Sequence, residues 1–155
     1  MNLMNKLMEK RKTNNKGFSL VELIIVIAIM AILVGIVGTQ VLPYLERSKE
    51  SKDLQLVNSY STAAMTAYTS NAASLKTTTG TLEVNVYGKN TDADAIFLAG
   101  KIQTLTYDTL DKVKAKIGSN TGESIKDIVV VYDFTNKTIT TKADGTTLDS
   151  VKADL

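Results

Sequence analysis

The chain has 155 residues and contains no Cys, His or Trp. That length allows one small domain beside any hydrophobic segment, and the missing residue types exclude disulfides, thiolate chemistry, histidine metal ligands, a cysteine-linked lipid anchor and the commonest general base. The formal charge of +2 is unevenly placed: residues 1–17 carry Lys6, Lys10, Arg11, Lys12 and Lys16 against Glu9, while the remaining 13 basic residues face 15 acids. With a body so close to neutral, the basic overall balance carries no implication of a specific nucleic-acid partner.

After this basic leader, residues 1–17, an apolar run begins at Phe18. From Leu23 to Leu45 there is no charged residue, a length of about 34 Å at the ~1.5 Å rise of an α-helix, enough to cross a bilayer. The core of a secretory signal is shorter, about 7–15 residues, and closes on an A-x-A-like site that this run lacks. The basic residues from Lys10 to Lys16 predict that the N-terminal end stays cytoplasmic. At the head of the run stands Glu22, although an acid at the centre of a membrane helix costs about 3 kcal/mol.

The helix is expected to continue past the apolar run, as far as about Ala73. Residues 18–42 form its hydrophobic half. In the amphipathic half, residues 43–73, Leu56, Tyr60, Ala63, Ala64, Ala67 and Tyr68 recur at offsets of three and four along one face, with Ser, Thr and Asn opposite. Gly35, Gly38 and Pro43 weaken the rod. A helix-interior Gly costs about 1 kcal/mol against Ala, and Pro43 removes the hydrogen bond to Thr39. A kink or a locally melted stretch is expected there.

Residues 74–155 read as a small α+β headgroup. Thr81 to Gly88 alternates Leu82, Val84 and Val86 with Glu83, Asn85 and Tyr87, as in a half-buried strand. The segments starting at Asp92 and at Tyr107 read as short helices, the second ending at Gly118. Asp92 and Asp94 fit a helix start better than a catalytic pair, and Lys112, Lys114 and Lys116 fit a solvated face. Tyr60, Tyr68 and Tyr107 read as packing aromatics. A hairpin is expected from Asp127 to Phe134 and back through Thr138 to Lys142, and a short last strand from Thr146 to Val151. Asp144, Asp149 and Asp154 follow no calcium-loop pattern. No catalytic residue, metal site or cofactor is expected.

The stretch Lys16-Gly17-Phe18-Ser19-Leu20-Val21-Glu22, followed at once by the long apolar helix, closely resembles the class III signal of type IV pilins. The resemblance implies an α+β fold in which a long N-terminal α-helix packs on a small antiparallel β-sheet headgroup. It implies that a prepilin peptidase cuts between Gly17 and Phe18 on the cytoplasmic side and methylates the new Phe18 amine. It also implies a single-pass precursor with its N-terminus inside, delivered through an assembly platform and its ATPases into an extracellular homopolymer that serves adhesion, surface motility or biofilm formation. In that filament Glu22 would pair with the N-terminal ammonium of an adjacent subunit and set the stagger, while Gly35, Gly38 and Pro43 would lend the helix flexibility. Many Gram-negative pilins pin the C-terminal region with a disulfide; this cysteine-free chain resembles a Gram-positive, anaerobic type. The alternative reading is a pseudopilin of a type II secretion or DNA-uptake system. A plain membrane anchor presenting a binding domain is a third.

Overall fold

The computed structural model describes Leu3 and residues 17–155. The expected basic leader, apart from Leu3 and Gly17, lies outside the described residues. The chain divides into two compact units, Met1–Pro43 and Tyr44–Leu155.

The first unit is helical. Helix α1 spans Leu20–Ile36 and runs into a five-residue π-helix, Val37–Val41. Neither contains a buried residue. The backbone remains helical beyond, through helix α2 (Leu42–Asn71) and a 3₁₀ turn (Ala72–Ser74), so the helical stretch Leu20–Ser74 starts two residues after the predicted Phe18. Around Gly35, Gly38 and Pro43 the backbone is helical, with π geometry at Val37–Val41. Pro43 lacks an N–H and its ring crowds the carbonyl of Thr39, and the turn just before it widens into π geometry. Thr39 donates its hydroxyl to the carbonyls of Gly35 and Ile36, at 3.1 and 3.4 Å.

The second unit has a core. Val57, Tyr60, Ala63, Ala64 and Ala67 of α2 are buried, with Leu56 and Tyr68 partly covered beside them. The expected face is thus the packed one, extended by Val57. Strands β1 (Thr81–Asn85), β2 (Asp127–Asp133), β3 (Thr138–Asp144) and β4 (Val151–Asp154) form one antiparallel sheet in the order β1-β2-β3-β4. The register aligns Leu82 with Tyr132, Val84 with Val130, Tyr132 with Ile139 and Ile128 with Ala143, so that these alternate positions supply the buried face. The Tyr132 hydroxyl donates to the carbonyl of Ala64 at 2.9 Å, which ties the sheet to α2.

Between β1 and β2 lie α3 (Ala93–Leu105) and a short α4 (Leu110–Lys114). Asp92 caps α3 by accepting from the N–H groups of Asp94 and Ala95. Asp94 accepts from the N–H groups of Lys76 and Thr77 at 2.8 and 2.7 Å, which holds its carboxyl below the ordinary range. The helix predicted from Tyr107 to Gly118 is much shorter. The Lys116 N–H already bonds three residues back to Val113, that of Ile117 is shared between Val113 and Lys114, and those of Gly118 and Ser119 go to the carboxylate of Asp53 on α2, at 3.0 Å each. The last strand also departs from expectation: it forms at Val151–Asp154 because the chain after Gly145, at φ +81°, turns on itself through Thr146, whose hydroxyl bonds the carbonyl of Ala143.

Three acids of α2 hold the loop after α4. Glu46 accepts from the Asn120 N–H, Glu50 from the Thr121 hydroxyl, and Asp53 additionally from the Ser119 hydroxyl. Gly122 is required beside them, since a Cβ there would stand 2.7 Å from Ile117 and 2.8 Å from the Asp53 carboxylate. On the far side of α2, Thr62, Thr66 and Thr69 are exposed and donate their hydroxyls to the carbonyls of Asn58, Thr62 and Met65. The sequence from Leu54 to Leu75 carries no charge at all.

Asp53→Ala leaves two backbone donors and a hydroxyl without their acceptor in a covered site, and is expected to cost about 3 kcal/mol, read as a lower urea midpoint. Asp127 supplies a pH signature. It accepts from the N–H groups of Tyr87, Gly88 and Ile128, but burial outweighs these bonds and raises its carboxyl above 3.8. The folded chain therefore binds this proton more tightly than the unfolded one, so stability is expected to rise as pH falls through the raised value, with the gain complete below 3.8. Because Asp94, Asp108 and Asp133, held low, act in the opposite sense, the check is the difference: from pH 7 to 4 the urea midpoint of the wild type should rise relative to that of Asp127→Asn.

Candidate assembly site at the N-terminal helix

The residues expected to carry processing and assembly cluster at the start of α1. Gly17 and Phe18 precede the helix and are exposed, Phe18 at 91%. A Cβ on Gly17 would meet nothing within 4 Å. Among the described residues nothing therefore calls for glycine at that position.

Helix α1 begins with a capping box. Ser19 takes extended backbone geometry and its hydroxyl accepts from the Val21 N–H at 3.3 Å. Glu22, in the first turn, reaches back so that its carboxylate accepts the Ser19 N–H at 2.9 Å. Both halves of the box satisfy donors that a helix start otherwise leaves open. The acid also lies at the positive end of the helix dipole. Glu22 thus has an intramolecular role that the reading of it as an intersubunit partner missed. The signal was present in the order Ser-Leu-Val-Glu, the spacing of a capping box.

Beyond this cap α1 has no polar device. Leu23, Ile24, Ile25, Val26, Ile27, Ile29, Met30 and their successors through Leu42 are 40–71% exposed. An apolar surface with no covering residues is stable only against lipid or another protein. Gly35 and Gly38 lie on this rod with open space around the position of a Cβ, so no crowding within the chain calls for them. Among the described residues no cluster of acids able to hold a metal ion is found.

The helical stretch Leu20–Ser74 contains a window long and apolar enough to cross a membrane, close to the N-terminus. Residues 12–38 match the family model of the prokaryotic N-terminal methylation motif, the class III signal of type IV pilin-like prepilins. No curated protein and no solved structure matches the chain. The motif is the one carried by prepilin peptidase substrates of the type IV pilin or pseudopilin kind, and together with the apolar helix behind it fits a single-pass inner-membrane precursor. A motif of this type points to a structural role. The α+β architecture, a long helix with a four-stranded antiparallel sheet, is the expected one.

Ser19→Ala should loosen the first turn of α1 by about 1 kcal/mol. Amide exchange of the uncut precursor in micelles should then quicken at Val21 and Glu22 and stay unchanged at Ile29.

Proposed function

We propose that this chain is the precursor of a structural subunit of a type IV pilus, which polymerises through its N-terminal helix into an extracellular filament for adhesion, surface motility or biofilm formation. The observation that carries the reading is α1 itself: a helix with no buried residue, placed inside a matched methylation motif. The leader, residues 1–17, is removed between Gly17 and Phe18, and the Phe18 amine is methylated. Residues 18–42 serve first as membrane span and then as filament core, 43–73 as the half of the helix that carries the head, and 74–155 as the head. The assembly platform and its ATPases act on the membrane-held subunit.

In this reading Glu22 changes partner. In the precursor it caps its own helix; after the cut, the new ammonium at Phe18 is a charged donor, because an α-amine has an ordinary pKa near 8. A Glu22 carboxylate that meets the ammonium of an adjacent subunit has registry value, since docking one step wrong would bury an unpaired charge at a cost of about 3–5 kcal/mol. Gly35 and Gly38 give bare helix surface at which a second helix can approach closely. With Pro43 they also form the part of the rod best able to yield under load.

Glu22→Ala is expected to leave processing intact, with a mature mass beginning at methylated Phe18, while reducing surface filaments seen by negative-stain microscopy at least tenfold. Normal filaments from that variant would refute the alignment role. Gly17→Leu is expected to accumulate at the uncut mass. A wild-type chain that is processed but never found in surface filaments would favour the pseudopilin reading.

A further inference from the structure

The segment Glu46 to Asp53 holds three acids and three bases, which cancel on paper but not in space. At about 100° per residue, Glu46, Glu50 and Asp53 fall within an arc of about 60°. All three carboxylates point into the head and accept hydrogen bonds from the loop of residues 118–121. Arg47, Lys49 and Lys52 lie outside that arc and are exposed. Lys49 keeps a long contact to Glu46, at 3.9 Å, and is still half exposed. The outward face of these two turns is therefore positive.

Its position along the helix sets what it meets. The charge-free run ends at Leu45. Arg47 and Lys49 stand about 3 and 6 Å further along the axis, within the roughly 5–8 Å of headgroup layer on one side of a hydrocarbon core, and Lys52, about 10 Å along, is just outside it and can reach back with its long side chain. Tyr44, 75% exposed, marks the boundary, where tyrosine is favoured for its apolar ring and polar tip. We propose that Tyr44, Arg47, Lys49 and Lys52 form a binding surface for anionic phospholipid headgroups of the extracytoplasmic leaflet, engaged while the subunit is held in the membrane. Charge complementarity and continuity with the span favour lipid over a second copy of the chain, because the bases begin two residues beyond Leu45, where phosphate is the nearest abundant anion. The inference requires the transmembrane placement of α1 and does not require a filament.

The test reconstitutes the full chain into phosphatidylcholine vesicles with trace spin-labelled phosphatidylglycerol or spin-labelled phosphatidylcholine. The motionally restricted fraction of each label gives the lipid selectivity. The leader's bases are common to all variants and set a constant background. Replacing Arg47, Lys49 and Lys52 together by Gln is expected to lower phosphatidylglycerol selectivity at least roughly fivefold, the effect of about one base at a membrane surface, without changing the urea midpoint. Replacing Lys112, Lys114 and Lys116 by Gln is expected to leave selectivity unchanged. If the triple variant fails to fold, Arg47→Gln alone is expected to lower selectivity in the same direction. Unchanged selectivity, or an equal fall in both triple variants, overturns the proposal. Loss of filaments with unchanged selectivity also overturns it and assigns the bases to a neighbouring copy.

Discussion

The hydrophobic surface of α1 is the constraint from which the rest follows. Covering a Leu, Ile or Val side chain is worth about 1.5–3 kcal/mol, and between Leu20 and Leu42 more than a dozen such residues stand open. Their sum exceeds the whole net stability of a small domain, about 5–15 kcal/mol, so the helix cannot remain in water. Lipid covers it as well as protein does. For that reason the hydrophobic effect alone does not favour a neighbouring helix over lipid, and in the proposed assembly discrimination falls to the few residues of this rod that are not simply apolar. Glu22 supplies charge, Gly35 on α1 and Gly38 on the π-helix supply bare backbone, and Thr39 and Gln40 are polar beside them.

The second unit solves a different problem, which is to hold a small cysteine-free sheet to a helix by packing and hydrogen bonds alone. Tyr132 does both, since its ring lies in the core and its hydroxyl reaches the carbonyl of Ala64. A chain of hydroxyls, Tyr60 to Tyr87 at 2.5 Å and Tyr87 to the carbonyl of Tyr107 at 2.6 Å, fixes the approach to α4. Asp53 and Asp127 use one device at two places. Each is a covered carboxylate that gathers backbone N–H groups from a loop, and each sits beside a glycine, Gly122 or Gly88, whose missing Cβ lets the backbone come close. Without disulfides, buried acids take over the pinning of loops.

Periodic patterns were legible in the sequence and long-range hydrogen bonds were not. The 3.6-residue repeat of Tyr60, Ala63, Ala64 and Ala67 located the packed face of α2, and the alternation of Leu82 and Val84 located β1. The hairpin of β2 and β3 followed from its apolar and Thr-rich halves. The Tyr107–Gly118 segment misled because its stripe of Leu110, Val113 and Ile117 satisfies a helix, while its end is decided by Asp53, more than sixty residues earlier. Asp53 itself was hidden in a run of charges that reads as solvated. At the N-terminus the motif residues were recognisable by order, and the capping bond of Glu22 was written in the same four letters but overshadowed by the question of what the acid does between chains.

The uncharged outer face of α2 has a thermodynamic character of its own. Thr62, Thr66 and Thr69 spend their hydroxyl protons on carbonyls of the same helix, which fixes their rotamers before any neighbour arrives. A Lys or Glu at those positions would lose about 1.5–2 kcal/mol of side-chain freedom on being covered, whereas a short, already immobilised threonine has little left to lose. Dehydration there strips no ion of its water. That stripe is an entropically quiet surface, cheap to occlude and equally cheap to uncover, a property suited to contacts that must be made and broken many times.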